Sequence, residues 1–251
     1  SILRLPDGEL LATHDYFGPG CPLNHHSEEH LTSIYRTTDG GETWTNVTHI
    51  ANAFWSSLFV LDDAPQSTVY LLGTSQQNGS IVIRRSTDNG YTWTHPFGED
   101  ALSTGLLFKG GGRKAPPNYH CAPVPVFVKD GRLYRAFEDN TPYHWPQGFQ
   151  ACVISAEVDT DLLDAANWTM SNKLPFDPAW LPENWEMWTS PGWLEGNVVE
   201  GPQGNLWNIL RLNAKRLDAG ATWTLWNKAA MVKVEDGGHH LSFDPATGFI
   251  D

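Results

Sequence analysis

Cysteine is scarce and unpatterned. Cys21, Cys121 and Cys152 are an odd number and none stands in a C-x-x-C spacing, which excludes a zinc knuckle or a dense disulfide framework and leaves room for one disulfide at most. Long apolar runs are also lacking, so no membrane-spanning helix is expected. Basic residues are few: 16 Lys and Arg stand against 29 Asp and Glu, a formal charge of −13. That field repels phosphate backbones and anionic membranes, so neither nucleic acid nor membrane is an expected partner. An anionic ligand would need a local Arg cluster working against it. Methionine is rare too, at 3, whereas Trp reaches 12, Gly 23 and Pro 17. Such a balance fits many short strands joined by tight turns and not a helical bundle. A chain of 251 residues can bury one large core or two modest ones.

What the sequence does contain is a repeat. The stretch Thr37-Thr38-Asp39-Gly40-Gly41-Glu42-Thr43-Trp44 returns 49 positions later as Ser86-Thr87-Asp88-Asn89-Gly90-Tyr91-Thr92-Trp93. Asp can accept from backbone amides two residues on, Gly accepts a positive φ, and Ser or Thr ties the start of the turn. The pattern predicts a turn between two strands, with the Trp packed between neighbouring sheets.

This S/T-x-D-x-G-x-T-W pattern resembles the Asp-box of the sialidase-type (BNR repeat) β-propeller family, where it marks the turn before a blade's outermost strand. The resemblance implies an all-β fold of four-stranded antiparallel blades in a single propeller domain over residues 1–251. Four blades are expected, at about 1–49, 50–100, 118–172 and 194–245. Blade one reads as strands Ile2–Leu5, Glu9–Thr13 and Leu31–Arg36, then Trp44–Val47 after the first box. Blade two reads as Trp55–Leu61, a turn near Asp62-Asp63, Thr68–Gly73, Ser80–Arg85, and Trp93-Thr94 as the outer strand. Blade three takes Ala122–Val128, Arg132–Phe137 and Phe149–Ala156, with Asp159–Asn167 replacing the tight turn before Trp168. Blade four takes Gly196–Glu200, Leu206–Leu212, Ala229–Val234 and Leu241.

The register is consistent across blades. From Gly8 to Gly131 is 123 residues and from Trp44 to Trp168 is 124, while Gly131 to Gly204 and Trp168 to Leu241 are both 73. This places the further candidate Asp218-Ala219-Gly220-Ala221-Thr222-Trp223 in a loop before the third strand of blade four; a true box there is the alternative. Sialidase-type propellers have six blades, and the chain opens and closes inside strand-turn units, so it is expected to be incomplete at both ends. The opening Ser1–Gly8 stretch has no signal-peptide pattern. A secreted, periplasmic or cell-surface location is nonetheless the expectation.

In such blades the short repetitive turns mark one face, and the other face collects the unusual residues. These are His14 and Asp15, the His25-His26-Ser27-Glu28-Glu29-His30 run, Trp55, His120, Glu138, Asp139, Tyr143, His144, Trp145, Glu195 and Arg211. Clustered ionisable side chains suit acid–base chemistry on a polar ligand. The stretch Trp193–Glu200 followed by Ile209-Leu210-Arg211 is similar to the sialidase segment in which a Glu opens an inner strand and an Arg closes the next. There the Glu assists a Tyr nucleophile and the Arg holds the substrate carboxylate; here a structural salt bridge of Glu195 with Arg211 is the alternative. The resemblance makes Asp15 the acid/base residue, with Glu28 or Glu29 as rivals, although the family's spacing around it is not reproduced. Its first Arg would precede residue 1, and its third Arg and Tyr would follow Asp251. Glu138 is a further candidate catalytic carboxylate. His26 and His30 have no companion ligand fixed by spacing and read as a solvated loop, so no metal is assigned, and no cofactor is expected. His14 and His120 could meet a hydroxyl or carboxylate, or be structural; Trp55 and Trp145 could stack on a sugar ring.

Three functions follow as expectations. The first is an exo-acting glycoside hydrolase of sialidase-like type on an anionic glycan or oligosaccharide, with Glu195, Asp15 and Glu138 as catalytic candidates. Arg211, His14, His120, Trp55, Tyr143 and Trp145 would bind substrate. The second is a non-catalytic glycan-binding propeller. The third is a uronate polysaccharide lyase with His120 or His14 as base and Tyr143 as acid.

Overall fold

The computed structural model describes the whole chain except residues 62–67, 97, 113–114, 184–190, 214, 218–222, 226–227 and 251, and except the side chains of 213, 215–217 and 223–225. The fold is all-β, of the propeller class, and its four principal sheets are antiparallel. Sheet one runs β1 (Ile2–Arg4), β2 (Leu10–Asp15), β3 (Leu31–Thr37), β4 (Thr45–Ala51) in sequence order. Sheet two follows with β5 (Phe54–Phe59), β6 (Val69–Thr74), β7 (Ile81–Ser86) and β8 (Leu106–Phe108). A two-residue strand β9 (Tyr119–His120) then exchanges backbone hydrogen bonds with Gly79 at 3.1 Å. Sheet three is built from β10 (Phe127–Lys129), β11 (Arg132–Asn140), β12 (Phe149–Glu157) and β13 (Trp168–Met170). Sheet four orders β14 (Gly192–Glu200), β15 (Leu206–Asn213), β18 (Ala229–Glu235) and β19 (His240–Ser242), with β20 (Phe249–Ile250) also on β18. A small hairpin sheet of β16 (Lys215–Leu217) and β17 (Trp223–Leu225) lies between β15 and β18 in the chain.

The chain divides into two compact units, residues 1–126 with 156–168, and residues 127–155 with 169–251. In the first, Leu11, Ile34, Ile50, Val69, Leu71 and Trp93 form a core. In the second, Ala136, Val153, Trp193, Leu210, Val232 and Val234 do so. Central strands such as β7 and β11 are buried along nearly their whole length, and their polar residues Arg84, Arg135, Glu138 and Asp139 are buried with them. Each fully buried Leu or Ile there contributes about 1.5–3 kcal/mol.

The two repeated turns share one hydrogen-bond pattern. Thr37 Oγ1 donates to Asp39 Oδ1 at 2.6 Å, Thr43 N to the same oxygen at 3.0 Å, and Gly41 N to Thr37 Oγ1 at 3.0 Å. The corresponding distances around Asp88 are 2.7, 2.8 and 2.8 Å. Each carboxylate therefore caps an amide four residues on, and at Asp39 the Gly41 amide, two residues on as expected, bonds it as well. Bonds from Thr37 and then Thr43 hold the Asp39 carboxyl well below the usual range. At Asp88 burial pushes the other way, but the bonds from Thr92 and Ser86 outweigh it and the net direction is again down. The indole closes each turn, Trp44 Nε1 on Gly41 O at 3.1 Å and Trp93 Nε1 on Gly90 O at 3.0 Å. A Cβ on Gly90, which stands at φ +92, would lie 2.8 Å from Leu11 Cδ1, so that site demands glycine on both counts. Trp168 makes the equivalent bond to Leu162 O at 2.9 Å through a longer turn.

Some strand limits differ from expectation. The outer strand of sheet two is Leu106–Phe108, paired to Ile81 and Val82, and not Trp93-Thr94, where Thr94 N donates to Arg85 O and Arg85 N to Thr94 Oγ1 without forming a strand. The first strand of sheet three is shortened to Phe127–Lys129, while that of sheet four starts earlier, at Gly192. β15 pairs with β18 from Leu206↔Val234 to Arg211↔Ala229, so the segment carrying Asp218–Trp223 falls between the second and third strands. The turn at Asp62-Asp63, residues 218–222 and the Trp223 side chain lie outside the described residues.

Candidate active site

In the first unit β2 ends at Asp15, opposite Thr32 on β3. The Trp55 amide also hydrogen-bonds Asp15. That amide is available because β5 bulges between Phe54 and Ser57, leaving Trp55 in the left-handed region at φ +45. For a bulky residue this conformation costs about 1–2 kcal/mol. The Trp55 ring lies 4.6 Å from buried His120, 4.7 Å from Phe54 and 5.7 Å from exposed Phe17, centroid to centroid. Burial in this aromatic setting pushes the Asp15 carboxyl up, and the contacts with Thr32, the Trp55 amide and His14 oppose the rise without cancelling it.

The Thr32 hydroxyl has one proton and two oxygen neighbours, Asp15 Oδ1 and Ala53 O, the latter at 2.8 Å. The hydroxyl donates toward both oxygens, and toward Asp15 this stabilises the charged form.

Other first-unit candidates are placed differently. His14 is exposed and packs edge-on to Tyr16 at 5.5 Å. Glu28 is buried and its Oε2 accepts from Asn78 N at 2.7 Å, which makes it a loop anchor. Glu29 lends its carbonyl to Gln77 N. His25 and His26 are exposed, their rings 3.8 Å apart, and no group of metal-ligating side chains forms among the described residues.

In the second unit β14 carries the same irregularity. Its register shifts between Leu194 and Asn197, and Glu195 stands at φ +59. Glu195 Oε1 pairs with the Arg211 guanidinium at 3.0 Å, both side chains being about two-fifths exposed. They border a hollow of about 420 Å³ together with Asn197, Ile209, Lys228 and Ile250. Glu138 is fully buried and its Oε1 accepts from Gly196 N at 2.8 Å, so it grips the bulge from below. A Cβ on Gly196 would come within 2.5 Å of Asn208 Oδ1, so only glycine fits beside the bulge. Asp139 is buried on Lys173 Nζ at 2.6 Å and on the Thr141 hydroxyl at 2.6 Å. Tyr143, His144 and Trp145 are exposed on the β11–β12 loop, with Trp145 edge-on to Phe149 at 4.8 Å. Beneath them Thr141, His144, Gln147 and Gln150 line a second hollow of about 440 Å³.

The structure thus brings together Asp15, Trp55 and His120 in one unit, and Glu195 with Arg211 in the other. Sequence reasoning missed Thr32, Lys228 and Asn197. Lys228 was accessible from the pairing Arg211↔Ala229, which puts the residue before β18 at the rim of the hollow. Arg84 was also missed: it is buried against Ala51 O and Asn52 O at 3.0 and 2.7 Å, and burial lowers its pKa to about 10.

No protein-family model matches the chain, and no curated protein matches it. Solved structures do. The α-L-arabinofuranosidase of Fusarium graminearum in complex with an iminosugar inhibitor superposes with a TM-score of 0.57 at 18% identity, over 95% of this chain and 62% of that one. A protein of unknown function from Dyadobacter fermentans gives 0.56 at 17%, over 96% and 66%. An α-L-arabinofuranosidase from Lactobacillus brevis gives 0.52 at 12%, over 95% and 73%. The chain spans about three fifths of the length of the Fusarium structures it matches. These likenesses show the fold.

Proposed function

We propose that the protein is an exo-acting glycoside hydrolase with Glu195 as its catalytic carboxylate; Asp15, in the other unit, is the proton-donor candidate that the sequence pattern offers. The observation that carries this is Glu195 itself. A charged residue is held at φ +59 on a bulge, oriented by Arg211 and poised over a hollow of about 420 Å³. Strained, half-exposed ion pairs of this kind mark functional positions more than structural ones. Glycosidic cleavage requires one carboxyl group that gives up a proton to the leaving oxygen and one that stays ionised. Asp15, driven toward its neutral form by burial, meets the first requirement. Glu195, paired with a guanidinium, meets the second. Glu138 is a positioning residue, since its carboxyl is spent on Gly196 N.

The first substrate class is an α-L-arabinofuranoside, the sugar on which the Fusarium and Lactobacillus enzymes of like fold act by name. An anionic glycan, implied by the sialidase-type sequence pattern, is a second reading. It is favoured by Arg211 and Lys228 lining one hollow with a single carboxylate. Turnover of aryl α-L-arabinofuranoside and aryl sialoside by the intact protein tests both. Phenol release from the first supports the neutral substrate, and release from the second alone supports the anionic one. Silence on both, with glycan binding retained, would replace the enzyme with a binding module.

A further inference from the structure

β2 carries Asp15 at one end, and Glu9 immediately precedes the other, six residues and about 20 Å of strand away. At that second end, within the first unit, the two repeated turns border a hollow of about 360 Å³ lined by Glu9, Arg36, Thr38, Thr45, Asn46 and Tyr91. Its chemistry is distinct. Arg36 is already balanced, by Glu9 and by Asp7 at 3.7 Å, and its Nη1 donates to Asn89 O at 2.8 Å. The guanidinium sits 5.1 Å from the centroid of the Tyr91 ring, and Tyr91 as a residue is 54% exposed. Thr38, Thr45 and Asn46 face solvent.

The geometry points to a second, non-catalytic saccharide site in this hollow, for one or two neutral sugar units. A charge pair fixed in advance offers both donors and acceptors to vicinal hydroxyls without net attraction for an anion. An open aromatic face offers stacking to the apolar side of a sugar ring. Hydroxyl and amide groups around it match a polyol better than an apolar ligand, and two carboxylates around one guanidinium disfavour an anionic one. Tyr91 occupies the position held by Glu42 in the first repeat, so the aromatic platform is a property of the second turn and not of the repeat.

Calorimetric titration of the intact protein with arabinobiose, xylobiose and glucuronic acid tests this. A neutral disaccharide is expected to bind saturably, and Tyr91→Ala to weaken that binding about tenfold with the circular dichroism unchanged. Glu9→Gln is expected to weaken it as well, while Glu195→Gln is expected to leave it intact. No binding by either disaccharide, binding by glucuronic acid alone, or affinity unchanged in Tyr91→Ala would overturn the site. Because the readout is equilibrium binding, failure here is separable from failure of the hydrolase reading, which would appear as absent turnover.

Discussion

β5 and β14 begin alike and end up serving different chemistry. Each bulges near its start, each holds a non-glycine residue at positive φ, Trp55 at +45 and Glu195 at +59, and each has a backbone amide of the bulge gripped by a carboxyl group. At β5 the gripping group is Asp15, half-buried among aromatic rings, and the bulge residue adds another ring. At β14 it is Glu138, wholly buried, and the bulge residue presents an ion pair to solvent. One backbone device thus holds a carboxyl group toward neutrality in one unit and displays a carboxylate in the other.

The strongest way to break the comparison is Glu195→Gln, which keeps the shape and removes the charge. It should lower turnover of an aryl arabinofuranoside about 10²–10⁴-fold, read as initial phenol release. Asp15→Asn should cost nearly as much on an unactivated disaccharide but far less on a nitrophenyl glycoside, whose leaving group needs no proton. Equal losses on both substrates would remove Asp15 from the donor role. Glu138→Ala should cost about 10²-fold in kcat through misplacement of the bulge, with KM less affected and Glu138→Gln recovering most of it. A KM effect alone would make Glu138 an ordinary buried acid.

The finest test concerns the proton on Asp15. A donor must be protonated, so activity should fall as pH rises through a pKa lifted above the ordinary carboxylate range by burial. Thr32 donates to the Asp15 carboxyl group, so Thr32→Val removes a donor to the charged form, and the alkaline limb should move to higher pH. A move to lower pH would show that neutral Asp15 donates to Thr32 instead.

The repeated turns were legible in the sequence because their structure is local. Asp39 and Asp88 find their partners within four residues, and the spacing carries the whole pattern. The pairing of Glu195 with Arg211 was legible for a related reason, since neighbouring antiparallel strands put Leu194 opposite Arg211. The bulges were not legible: Trp55 read as the first residue of a strand and Glu195 as the residue before one, and the register shifts arise in pairing with β6 and β15. Nor could spacing separate Asp15 from Glu28 and Glu138. All three are acids at strand or loop ends, and only the fold shows that the latter two are buried and hold the amides of Asn78 and Gly196. The outer strand of sheet two escaped because Ile81 and Val82 pair beyond an insertion after Trp93.

The central claim is that Glu195 supplies the carboxylate at the anomeric carbon, and chemical rescue tests it most directly. Glu195→Ala should be nearly inactive on a nitrophenyl arabinofuranoside. Added azide should restore nitrophenolate release and yield the glycosyl azide, the azide nitrogen bonding to the anomeric carbon as the nitrophenolate departs. A Glu195→Ala protein as active as its parent, with no azide product, would contradict the account.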